Sequence, residues 1–90
     1  MFELGEVCYT SGIACEMNQG NITESDIKTM LTRHKSGDWG NVPEEDKQTN
    51  DDALKEGSRV LSSYTINNVK VWIITEWDRS ITTMFLPSEY

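Results

Sequence analysis

Residues 58–86 read SRVLSSYTI (58–66), Asn67-Asn68, VKVWIITEW (69–77), Asp78-Arg79-Ser80 and ITTMFL (81–86). Runs rich in β-branched and aromatic residues, split by short polar turns, predict a three-stranded antiparallel β-meander over these segments. Asn67-Asn68 suits a two-residue hairpin loop, because asparagine tolerates the positive φ that such loops demand. That loop sets the register: Ile66 opposite Val69, Tyr64 opposite Val71, Ser62 opposite Ile73, and Val60 opposite Thr75. The turn around 77–80 then pairs Glu76 with Ile81 and Trp72 with Phe85. One sheet face gathers Val60, Tyr64, Ile66, Val69, Val71, Ile73, Met84 and Leu86. The other carries Leu61, Trp72, Ile74, Ile81 and Phe85, diluted by polar residues. Both faces therefore need cover. Helices can supply it on one side. The second side requires the N-terminal segment, a dimer mate buried through Leu61, Trp72, Ile74 and Phe85, or another partner.

The helices lie upstream. Thr23 is the expected N-cap of a helix over about 24–36, with Asp26 in the capping-box position and Ile22 placed to staple onto Ile27. Ile27, Met30, Leu31 and His34 recur at helical spacing and form an apolar face. Arg33, His34 and Lys35 suit the last turn, and Gly37 ends the helix. A second helix is expected over about 43–56, with Pro43 at its first position, Glu44, Glu45 and Asp46 in its first turn, and Gly57 as its stop. Its apolar side is thin, only Ala53 and Leu54 beside Asp46, Thr49 and Asn50. Either those inner polar groups bond to the rest of the fold or the helix is peripheral. Before these helices, Phe2 to Tyr9 alternates loosely and leaves room for a short N-terminal strand broken at Gly5. Thr10, Ser11 and Gly12 open a helical turn over 13–18. The whole is a single α+β domain over residues 1–90.

Composition narrows the function. The charged fraction is 26% and the apolar fraction 37%, which suits a folded globular chain. No apolar run approaches the ~20 residues of a membrane helix, and the N-terminus lacks the basic leader of a signal peptide. A cytoplasmic location without membrane contact is expected. The net charge of −7 argues against direct contact with nucleic acid and fits a protein partner with a basic surface. Cys8 and Cys15 lack metal-site spacing and are expected to be reduced and partly buried.

From Arg33 onward, RHKSGDWGNVPEEDKQTNDDALKEGSRVLSSY and VKVWIITEWDRSITTMFLPSEY resemble small proteins of bacterial plasmids and other mobile elements, in the GDWG, EEDK, WIITE and DRSxTT pieces. The resemblance implies a setting in mobile DNA beside systems of defence and counter-defence, and no established activity. A topological likeness to toxin nucleases of the RelE and ParE type is weaker, because those proteins are basic where they meet RNA.

No grouping of side chains names a reaction, so no catalytic residue, metal or cofactor is expected. His34, the single histidine, has no nucleophile beside it by motif and reads as a helix-end packing residue. Residues 38–56 hold seven acids and two lysines, a local charge of −5. They form either a solvated helix N-terminus or an electronegative stripe that imitates a nucleic-acid backbone. The candidate partner-binding residues are Asp38, Trp39, Glu44, Glu45, Asp51, Asp52, Glu56 and Trp77. Glu76, Asp78 and Arg79 suggest a local ion pair. The preferred function is a non-enzymatic inhibitor of the anti-restriction or anti-CRISPR kind that blocks a basic nucleic-acid-binding surface. The alternatives are a small toxin RNase and a structural homodimer with an accessory plasmid role.

Overall fold

A computed structural model describes residues 2–90. Its elements run β1 (Glu6–Tyr9), α1 (Ser11–Asn18), α2 (Glu24–Lys35), α3 (Glu44–Glu56), β2 (Val60–Ile66), β3 (Val69–Thr75), β4 (Ile81–Phe85) and a 3₁₀ turn at Pro87–Glu89. The architecture is α+β. The meander pairs as its loops require, with Ile66 opposite Val69, Tyr64 opposite Val71, Ser62 opposite Ile73, Val60 opposite Thr75, and Trp72 opposite Phe85. Asn67 and Asn68 take φ of 49° and 66°, the left-handed pair that a tight hairpin needs.

The sheet has four strands, not three. β1 adds to β4 in parallel, so the order is β1-β4-β3-β2. Gly5, at φ 64°, turns the chain into β1 where a side chain would collide with the Ser80 carbonyl. The N-terminal segment thus extends the sheet edge and does not cover its second face. That face is closed partly by the other terminus. Tyr90 stacks on Phe85 at 5.7 Å and meets Trp72 edge-on at 5.8 Å. Ile74 and Phe85 beneath are 7% and 6% exposed.

The first face holds the main core. Ile13 of α1 and Met30 of α2 pack with Ile22, Tyr64, Val71, Ile73 and Met84, all buried. Each such side chain contributes ~1.5–3 kcal/mol by leaving water. The capping box of α2 is present in full: the Asp26 N–H donates to Thr23 Oγ1 at 3.1 Å, and the Thr23 N–H donates to Asp26 Oδ2 at 3.0 Å. Thr10 caps α1, a complete helix where only a turn was expected. Pro43 is the N-cap of α3, not its first residue, because its ψ of 157° is still extended.

α3 is held through its polar inner side. Asn50, 4% exposed, donates from Nδ2 to the Leu61 carbonyl at 2.7 Å and accepts the Leu61 N–H at 3.1 Å. One residue pair along, the Ser63 N–H donates to the Trp39 carbonyl at 3.0 Å, and the Asn41 N–H donates to the Ser63 carbonyl at 2.6 Å. Gly40 lies flat against Ser63, where a Cβ has no room. These contacts satisfy the open edge of β2, which would otherwise template further pairing. Replacing Asn50 with leucine removes both bonds and strands two backbone groups under the helix. It is expected to cost about 1–3 kcal/mol in urea denaturation. Amide exchange should accelerate at Leu61 while the β2–β3 ladder stays protected.

Candidate interaction surface

The acids expected to meet a partner divide into structural and free groups. Asp38 forms a two-pronged pair with Arg33, at 2.7 Å to Nε and 3.3 Å to Nη2. That hydrogen bond holds its carboxyl below the usual range. Both groups are about half exposed, so the pair is worth at most ~1 kcal/mol. It shapes the turn: the Arg33 guanidinium lies 4.6 Å over the Tyr64 ring, and the Tyr64 hydroxyl donates to the Asp38 carbonyl. Asp51 accepts the Trp39 indole N–H at 3.1 Å. Trp39 itself is 3% exposed, in a cluster with Val42, Ala53 and Val60. It props the surface from below and offers no ring to a partner.

The rest of the acidic set is exposed and makes only local contacts within α3, such as the Gln48 amide donating to Asp52 at 3.1 Å. Glu44, Glu45, Asp52 and Glu56 are exposed, and the Glu44 side chain is 91% so despite Lys47 at 3.5 Å. Glu45, Asp52 and Glu56 recur at i, i+7 and i+11, one stripe of the helix. Asp46 faces a shallow groove of about 300 Å³ between the start of α3 and the second sheet face, where Leu61, Lys70, Trp72 and Pro87 form the other wall.

Trp77 lies on a turn that Arg79 ties to α3. The expected ion pair within the 76–79 turn does not form. Arg79, at φ 60°, instead donates to the carbonyls of Ser58 at 2.7 Å, Glu76 at 3.1 Å and Ala53 at 3.3 Å. Three carbonyl acceptors, one of them in the last turn of α3, satisfy a guanidinium better than one solvated carboxylate does. Glu76 pairs with Arg59 at 3.5 Å, and Asp78 accepts the Ser80 N–H and hydroxyl. The turn is thereby pinned to the C-terminal end of α3. It carries Trp77, which is 66% exposed.

The chain matches no family model, no curated protein and no solved structure.

His34 is more than a packing residue. It is fully buried, edge-on to Phe2 at 5.3 Å and Trp39 at 5.7 Å. Its Nδ1 lies 2.5 Å from Ser62 Oγ and its Nε2 2.9 Å from Thr75 Oγ1. Thr75 Oγ1 is 2.7 Å from Thr82 Oγ1, and the Thr82 hydroxyl donates to the Leu4 carbonyl at 2.7 Å. Only one direction satisfies every atom. Thr82 has given its proton to Leu4, so it accepts from Thr75. Thr75 in turn accepts from His34 Nε2–H, and Nδ1 accepts from Ser62. The chain of bonds ties α2 to β2, β3, β4 and the N-terminal segment. Ser62, Thr75 and Thr82 are as buried as the imidazole. Burial, and then the charge of Arg79, push the His34 pKa down to about 4.

Cys8 and Cys15 are free and exposed, not partly buried. Among the described residues, no group of three or more His, Cys, Asp or Glu could hold a metal ion. No helix among them is long and apolar enough to cross a membrane.

Proposed function

We propose that this chain is a small acidic binding protein of a mobile element, acting without chemistry by covering a basic nucleic-acid-binding surface of a target protein, in the manner of an anti-restriction or anti-CRISPR inhibitor. The observation that carries the reading is the exposed stripe of Glu45, Asp52 and Glu56 on α3, together with an exposed Trp77 on a turn that Arg79 ties to the end of that helix. Carboxylates in a row on a rigid helix present spaced negative charge to arginines and lysines that otherwise grip phosphates. An exposed tryptophan on a pinned turn supplies the aromatic anchor around which such interfaces concentrate their energy.

Charge reversal tests this. The triple variant Glu45→Lys, Asp52→Lys, Glu56→Lys leaves Asp51 in place to hold Trp39. It is expected to weaken capture of DNA-binding defence proteins by at least about 100-fold, most of it in the association rate. Trp77→Ala should weaken capture by about 30-fold with the melting transition unchanged. Surface plasmon resonance against purified restriction and CRISPR effector proteins reads both. Undiminished binding by the triple variant would sink the electrostatic reading.

A further inference from the structure

The two edges of the sheet are treated differently. The β2 edge is closed by Asn50 and the 39–41 segment, as described above. β1, at the opposite edge, pairs with no strand on its outer side among the described residues. Its inner side is engaged: the Glu6 N–H donates to the Ser80 carbonyl at 2.9 Å, and the Thr10 N–H to the Met84 carbonyl at 3.1 Å. Backbone groups alternate sides along a strand, so those of Val7 and Tyr9 point outward. All four residues of β1 are exposed, with Val7 at 40% and Tyr9 at 51%. Exposed edges are ordinarily blunted by shortness, charge, proline or a bulge, and β1 has only its four-residue length and Glu6 to serve. The sequence EVCY has neither lysine nor proline.

We infer that this edge receives an extended, basic segment of the partner protein, which joins the sheet as a fifth strand beside β1. Charge selects the occupant. The first 27 residues contain five acids and no lysine or arginine, and the neighbouring strand β4 is uncharged. A cationic strand meets Glu3 and Glu6 there, neither in a salt bridge among the described residues, whereas a second copy of this chain brings the same charges back. Strand addition takes its affinity from main-chain bonds and its selectivity from side chains such as Val7 and Tyr9. The inference rests on the reading of the chain as a binder of basic proteins, and adds where and in what conformation the partner attaches.

The probe is a synthetic peptide, KVKVKVK, titrated into isotope-labelled protein by NMR. Shifts centred on residues 6–9, with new exchange protection of the Val7 and Tyr9 amides, are expected. Methylating alternate backbone nitrogens of the peptide removes donors without changing its charge and should weaken binding at least tenfold. Val7→Pro removes an outward N–H and should do the same. The methylated peptide keeps the test valid if that variant unfolds. Equal binding by the methylated peptide, or shifts confined to Glu45, Asp52 and Glu56, overturns strand addition and leaves the acidic binding reading standing. Failure of the peptide and of basic effector proteins alike removes both. A second copy on this edge is a further overturning outcome. The antiparallel pairing that uses both Val7 and Tyr9 sets Cys8 opposite its mate at ~4.5 Å between Cα atoms, within disulfide reach. Diamide would then give a Cys8-linked dimer in place of peptide binding.

Discussion

Replacing Trp39 with alanine is expected to destabilise the fold by about 3–5 kcal/mol, a large share of the ~5–13 kcal/mol available to a chain of this size. The indole touches both halves of the protein. Its ring stacks with Phe2 at 6.1 Å and meets His34 edge-on, its N–H reaches Asp51, and its carbonyl takes the Ser63 N–H. Alanine empties the centre of the cluster formed with Val42, Ala53 and Val60, and uncovers the buried imidazole. Urea denaturation should show the midpoint falling with little change in slope. Trp39→Phe should lose less, about 1–2 kcal/mol, because it keeps the stacking and forfeits the bond to Asp51. The two tryptophans of the turns are thus expected to separate cleanly: Trp39 in stability, Trp77 in binding. Equal stability of Trp39→Ala and the parent would refute the assignment of Trp39 as a plug.

Acid should loosen the molecule through His34. The imidazole titrates near 6.5 when unfolded and at about 4 in the fold. Between those values the unfolded chain binds the extra proton, so stability falls as pH drops through that window and levels off below it. The full span is worth about 3 kcal/mol. The cause is visible in the bond directions. A proton on Nδ1 faces the Ser62 hydroxyl, which must reverse, and a buried cation then sits near Arg79 among aromatic rings. Asp38, Asp78 and Glu89 have lowered pKa values through their hydrogen bonds, and lose their contributions only as the pH falls through the carboxylate range. Comparison with His34→Gln therefore isolates the imidazole, since glutamine retains an N–H donor toward Thr75. The variant is expected to be less stable at neutral pH and to have a flatter profile between about pH 6.5 and 4. Parallel profiles for the two proteins would show that His34 does not titrate across unfolding.

Residues 58–86 fixed their own pairing because a two-residue loop with Asn67-Asn68 admits one register, and a one-residue slip would turn the core side chains to solvent. Thr23 with Asp26 likewise announced the start of α2 in local chemistry alone. The exposed acids of α3 were legible for the same reason, since a helix with so little apolar surface has to turn most of its length outward. Three other features were decided only in space, although the alternation of Phe2–Tyr9 had suggested a strand and the polar inner side of α3 had suggested bonds to the fold. β1 is four residues long and owes its place to β4, far along the chain, so only the assembled sheet shows it as a free parallel edge. Asn50 reads as a polar residue on a weak helix until Leu61 arrives to receive both its bonds. His34, Ser62, Thr75 and Thr82 carry no motif, because a hydrogen-bonded chain across four elements is a property of distance in space, which spacing along the sequence does not encode.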